Sequence, residues 1–296
     1  MSTHLEAAPA TRPLYWSVRR EIWENRSFYI APLIVAGVVL FGFLISTIGM
    51  PERRRAALLL DPAHQRAAIE APYDVAAMML LLTAFIVGVF YCLDALYGER
   101  RDRSILFWKS LPVSDRTTVL SKASIPLVVL PLLTFAIIVA TQLMILLLST
   151  AVLLPSGLSA TTWPHLPLFQ IWLVLPYGLI TVALWHAPIY AWLLLVSGWV
   201  RRAAFLWAVL PLFAIGVLEK IAFNTTHFAS LVRYRLIGGF TQAFVIPAKG
   251  SVPAGGPLTQ ITPWKFLSTP GLWIGLIFAA AFLAAAVRLR RDRGPI

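Results

Sequence analysis

From Ala123 to Val200 the chain runs for 78 residues without an Asp, Glu, Lys or Arg. A helix needs about 20 apolar residues to cross a hydrocarbon core of about 30 Å, so this run is too long for one crossing and too apolar for a surface. Pro155, Gly157, Pro164 and Pro167 cluster near its middle, where such residues break regular structure. The run therefore divides into spans near Ile125–Leu154 and Phe169–Val200. Four further charge-free runs, Ser27–Pro51, Val75–Leu93, Ala203–Leu218 and Phe266–Val287, bring the expected total to six. Soluble domains carry about 25% charged residues; this chain carries 13%. The expected fold class is an all-α polytopic membrane protein, with residues 1–26 as an N-terminal segment and 27–296 as one six-span domain.

An even number of spans puts both termini on one side. With the termini inside, sixteen Lys and Arg fall in cytoplasmic segments and nine in outer ones, the bias that cytoplasmic loops show. The basic "PERRR" at 51–55 then lies outside, in a loop that also holds Glu52, Asp61, Glu70 and Asp74. Outer loops are expected at 50–74 and 219–265 and an inner loop at 98–122. The net charge of +12 is read as this topology signal plus attraction to anionic lipid heads, not as a nucleic-acid footprint. The one cysteine, Cys92, excludes an internal disulfide. The first 26 residues lack an apolar core, so a cleavable signal peptide is not expected.

Motifs of bond chemistry are absent from the sequence. There is no GxxxxGK[ST] phosphate loop, no HExxH and no Cys/His cluster of metal-ligand spacing, and hence no catalytic, metal or cofactor residues to nominate. His186 is the one histidine inside a span. The spans hold almost none of the buried ionisable groups with which secondary transporters bind protons or sodium. Energy for transport would have to come from another chain; a secondary transporter or channel without an ATPase is the alternative.

Three segments carry the remaining information. In "RPLYWSVRREIWENR", Arg12–Arg26, Leu14, Val18 and Ile22 recur at four-residue spacing. This is an interfacial amphipathic helix with Tyr15, Trp16 and Trp23 in lipid and Arg19 and Arg20 at the head groups, either a plain anchor or an elbow packed beside the spans. Between Glu219 and Phe266, the charge-free runs Ile221–Val232 and Leu236–Ala248 are too short to span and read as a re-entrant or interfacial element, or as a surface loop. The third is Gly98–Lys122, "GERRDRSILFWKSLPVSDRTTVLSK". A helix is expected at Glu99–Ser110, stopped by Pro112, with Ser114 as N-cap of the next. Ile105, Leu106 and Trp108 would form one surface, rimmed by Arg100, Arg101, Arg103 and Lys109. That is an anchor for a partner's groove or a lipid-facing interfacial helix.

The run from Leu96 to Lys122 resembles the cytoplasmic loop of permease subunits of type-2 ATP-binding-cassette (ABC) exporters. The resemblance lies in the Glu/Arg-rich Glu99–Arg103, the turn Leu111–Ser114, and Lys122 opening the third span. The N-terminal amphipathic helix, six spans and irregular piece between spans five and six match that family's layout across nearly the whole chain; "PERRR" departs from it. The resemblance implies a multi-pass subunit of a bacterial inner membrane. It implies a permease dimer, homo- or heteromeric, worked by two copies of a separate ATPase, with ATP and Mg bound on that partner. Its coupling helix would touch the ATPase through Glu99, Arg101, Arg103, Phe107 and Trp108. The greasy spans suggest an amphipathic or hydrophobic substrate.

Overall fold

A computed structural model describes residues 13–110, 113–159, 166–245 and 256–293. The described residues are helical almost throughout. Six helical segments are long and apolar enough to cross a membrane: Ser27–Ser46, Pro62–Arg101, Asp115–Ser156, Leu168–Trp199, Ala204–Phe223 and Pro270–Asp292. The protein is thus all-α with six candidate spans.

The helices, in chain order, begin with α1 (Pro13–Glu24), α2 (Ser27–Ser46), α3 (Met50–Ala57) and α4 (Pro62–Asp94). Asp61 caps α4 by accepting from the His64 amide, with Pro62 at the first helical position. Two short helices, α5 (Tyr97–Arg101) and α6 (Ile105–Ser110), lead to α7 (Asp115–Ser124). Ser114 caps α7 through the Thr117 amide at 3.1 Å, as its position before Asp115 predicts. A π-helical turn at Ile125–Val129 joins α7 to α8 (Leu130–Leu153). Pro126 lies within that turn and Pro131 just after it, and each lacks the N–H that would continue the ladder. Then come α9 (Leu168–Trp199), α10 (Ala204–Phe223), α11 (His227–Ala243), α12 (Pro263–Ser268) and α13 (Pro270–Asp292). The expected breaker cluster between α8 and α9 falls partly outside the described residues, as does Pro112.

α9 is the hub. Two thirds (67%) of its most apolar stretch is buried, against 11% for α10 and 22% for α2 and α13, so the other spans turn most of their surface outward. In water those faces would be untenable; hydrocarbon removes the penalty. Phe28, Tyr91, Leu130, Tyr190 and Leu194 form the largest buried cluster, between α2, α4, α8 and α9. Three segments meet at one end of the bundle: Arg100 of α5 bonds the carbonyls of Gly198 and Val200, and Arg293 bonds that of Trp199.

Between spans five and six the structure departs from the expected boundaries. α10 continues past Leu218 to Phe223, and one helix, α11, runs through Arg233 and Arg235 instead of two short apolar pieces. Glu219 makes the reversal. Its carboxylate accepts from Thr225 Oγ1 (2.6 Å) and from the His227 and Phe228 amides (2.7 and 2.8 Å), satisfying the free donors of α11. Asn224 adopts the left-handed conformation (φ 52°) that asparagine tolerates best after glycine. α11 then packs on the middle of α9, where Gly239 lies against Trp185.

Candidate functional site: a buried charge cluster under the 97–110 segment

The most unusual chemistry lies at the end of the bundle where α1, α4, α5, α7 and α13 meet. Arg100 of α5 is buried there against the carbonyls of Gly198 and Val200, and four further charged side chains are buried against one another: Glu21 of α1 is 1% exposed, Lys122 of α7 3%, Arg290 of α13 5% and Glu99 of α5 8%. Two are acidic and two basic, so the charge sums to zero, a condition for keeping ions out of water. Lys122 Nζ is shared between Glu21 Oε1 (2.9 Å) and Glu99 Oε1 (3.0 Å). Glu99 also takes a close bond from Arg290 and a longer one from Arg20 (3.5 Å). Arg20 holds Glu21 at 2.6 Å, and Tyr91 of α4 donates to Glu21 Oε2 at 2.8 Å. Arg290 Nε reaches Asp115 of α7 at 3.2 Å.

These residues are brought together across the chain: Glu99 and Arg290 are 191 positions apart, and Glu21 and Lys122 are 101. The cluster therefore ties the start of the third candidate span and the ends of the second and sixth to the N-terminal helix. A cleft of about 310 Å³ opens beside it, lined by Glu24, Tyr91, Asp94, Glu99, Trp108 and Lys122 among others. Burial pushes the Glu21 carboxyl up, but Lys122 and Arg20 outweigh it and hold the group below the usual carboxylate range. Burial raises Glu24, and the neighbouring Glu21 and Glu99 add to the rise, against which Arg20 and Lys122 offset only part. The Arg20 guanidinium loses hydration by burial, yet Glu21, Glu24 and Glu99 raise its proton affinity overall.

A pH dependence follows. Because the folded-state value of Glu21 lies below its unfolded value, its contribution to stability is complete above the ordinary carboxylate range and lost as pH falls from there through the lower folded value. Thermal unfolding in detergent should show that loss, and Glu21→Gln should remove part of the acid-side slope while lowering Tm at neutral pH. An unchanged slope in the variant would show that Glu21 is not the group responsible.

The sequence-predicted site residues fare differently. Glu99 does not face outward; it is the centre of the cluster. Arg101 is exposed and pairs with Asp94 and Asp102. Arg103 takes the left-handed conformation (φ 59°) and splits the expected helix Glu99–Ser110 into α5 and α6. Glu99 and Arg100 pin α5 to the bundle, so the chain must turn there for α6 to seat Ile105, which is 1% exposed. The expected apolar surface is thus rearranged. Ile105 points in, Trp108 lies beneath the Arg20 guanidinium (3.8 Å to the ring centroid), and Leu106 and Phe107 are 59% and 60% exposed. Lys109 reaches the carbonyls of Arg291 and Arg293, both at 3.2 Å, at the C-terminus of α13.

α1 is likewise reoriented. Val18 and Ile22 pack on the bundle core instead of facing lipid, and Arg20 turns inward with Glu21. Tyr15, Trp16 and Trp23 are exposed, with Arg19 stacked on both tryptophans at 5.3 and 4.4 Å. The reason is that Glu21 must reach Lys122, which fixes the rotation of the helix. Among the described residues, no group of three His, Cys, Asp or Glu is placed to hold a metal ion. No protein-family model, curated protein or solved structure matches this chain.

Proposed function

We propose that this protein is the membrane subunit of an ABC exporter, working as a dimer and driven from the cytosol by two copies of a separate ATPase. The observation that supports this most is the mounting of α6. It presents Leu106 and Phe107 outward, while the residues on either side are fastened to α1, α7, α9 and α13 by Glu99, Arg100, Trp108 and Lys109. A partner that grips the Leu106–Phe107 knob could not move it alone. Displacement would pass through Glu99 to Arg290 and Lys122, and so to the spans that begin or end there. Conversion of a push into a change of access is a shift between populations of bundle arrangements. Nucleotide, Mg and bond chemistry belong to the partner.

On this reading the end carrying α6 is cytoplasmic, the side that the Lys and Arg distribution favours. Arg101, Arg103 and Phe107 contact the ATPase, whereas Glu99 and Trp108 position the segment that makes the contact. The α11–α12 piece is a half-inserted outer gate, supported by its seat at mid-length on α9 instead of at that helix's outer end. The membrane is the bacterial inner membrane, and the cargo is amphipathic or hydrophobic.

The test is recovery of a P-loop ATPase with the detergent-solubilised protein from its native host, and from co-expression with a neighbouring ATPase gene. Phe107→Glu, at an exposed site, should abolish that recovery with little effect on Tm, because exposed substitutions remote from buried contacts shift stability by about 0.5 kcal/mol or less. A stable complex in the variant, or substrate movement by the purified protein along a proton gradient alone, would overturn the reading.

A further inference from the structure

His186 has no part in the charge cluster or in the proposed coupling. It lies near the midpoint of α9, is 5% exposed, and sits among segments with no charge at that level: Val75–Leu93 of α4, α8, α10 as far as Leu218 and α13 as far as Val287. Each of its ring nitrogens faces a carbonyl oxygen. Nδ1 is 2.8 Å from Val182 O in its own helix, and Nε2 is 3.1 Å from Leu236 O of α11. A neutral imidazole has one N–H and one lone pair. Whichever tautomer it adopts, one nitrogen then turns a lone pair toward a carbonyl lone pair. Only the imidazolium, with two N–H groups, satisfies both contacts.

We propose that His186 is a proton-binding site, and that the doubly protonated ring fastens α11 to α9. The groups facing it define how the site works. From α4 comes the Phe85 ring, edge-on at 5.0 Å, and Tyr190, one turn along α9, packs on that same ring. From α11 comes Arg235, whose guanidinium repels an added positive charge and is itself turned to Trp185 and the Gly271 carbonyl. Tyr234 of α11 packs on Trp185, and Tyr177 of α9 donates to Ala243 O. No carboxylate is paired with His186 or Arg235 among the described residues. The proton is therefore held by two carbonyl dipoles against the cost of burying a charged ring and against a neighbouring cation, an arrangement that allows it to leave. When it leaves, Nδ1–H keeps the shorter contact within α9, and the bond that fails is the one between helices. Deprotonation loosens one end of the seat of α11 on the hub, while Tyr177 still donates to Ala243 O and Tyr234 still packs on Trp185. An intramembrane ionisable residue positioned this way joins a proton to the movement of a single segment. The inference is independent of the identity of any ATPase partner.

The experiment uses the full chain in nanodiscs, in a His227→Gln background so that the histidine at the start of α11 does not titrate. Nitrogen-15 spectra of labelled histidine should show the His186 ring passing from imidazolium to neutral within about pH 5–8. The signal is assigned by its loss in His186→Gln. Hydrogen exchange of residues 227–243, corrected for the intrinsic rate, should quicken about tenfold as pH rises through the same midpoint, while α8 stays unchanged. In His186→Gln that step should vanish. A ring that stays neutral across the range overturns the proposal, as does exchange indifferent to the ring's midpoint. If His186→Gln does not fold, the ring is assigned instead in a chain lacking the other four histidines, and coincidence of the two midpoints decides.

Discussion

Lys122→Met should lower the thermal stability of the detergent-solubilised protein more than any substitution of an exposed charge. The ammonium is 3% exposed and stands between two carboxylates at 2.9 and 3.0 Å. Methionine fills much of the same volume and leaves Glu21 and Glu99 facing each other with one fewer cation. Breaking a buried pair by removing one partner costs about 3–5 kcal/mol, because the remaining charge is stranded. Arg101, by contrast, is half exposed in its pairs with Asp94 and Asp102, and such surface pairs contribute about 0–1 kcal/mol. Arg101→Ala should therefore leave Tm almost unmoved. A second arm separates lost attraction from lost packing. Glu21→Gln combined with Lys122→Met should be less damaging than the sum of the two single changes, since the double variant leaves Glu99 balanced by Arg290 in the buried set. Equal Tm for Lys122→Met and wild type, or strict additivity, would remove the cluster from any account of how this end of the bundle is held.

Much of the architecture was legible in the sequence, for a physical reason that applies to membranes in particular. Lipid tolerates charge so poorly that a run such as Ser27–Pro51 or Phe266–Val287 declares its environment without any appeal to packing. The N-cap at Ser114 was legible because capping is local chemistry. The charge cluster was not. Its members were each visible, with Glu99 in the loop, Lys122 opening a span and Arg290 in the basic stop. Yet nothing local says that positions 191 residues apart meet. The one available signal was Glu21, an acid set into the apolar stripe of an amphipathic helix, where cations had to cover it. The same blindness misplaced the surface of α6. Helical spacing put Ile105, Leu106 and Trp108 together, but periodicity assumes one continuous helix. Arg103 breaks it in a left-handed turn imposed by contacts from α9 and α13. α11 was read as two pieces because Arg233 and Arg235 interrupt its apolar pattern. In the fold Arg235 is covered by Trp185 and by the space that Gly275 leaves open.

Gly239→Val should separate α11 from the hub while leaving the six spans folded. A Cβ at Gly239 would stand 2.7 Å from Trp185 Cγ and 2.9 Å from Cδ1, at the rigid base of an indole rather than its tip. Trp185 is fully buried and hemmed by Tyr234, Phe266 and the Arg235 guanidinium, so it has nowhere to swing. Overpacking of this kind costs about 1–3 kcal/mol, occasionally more, and exceeds the roughly 1 kcal/mol that replacing glycine gains inside a helix. Because α11 lies outside the spans, the cost should surface as local opening: exchange across 227–243 should rise by about tenfold or more, set by that free energy, with little change in α4 or α8. Gly42→Val in α2 is the matched control. A Cβ there meets nothing within 4 Å, so only the helix-propensity gain remains and Tm should hold or rise. Opposite signs at the two glycines can come only from the neighbour each one faces. If Gly239→Val left the exchange of α11 as slow as in wild type, Trp185 would not be the surface on which that segment rests, and the seat of α11 on the middle of α9 would have to be abandoned together with the proton latch placed one residue away.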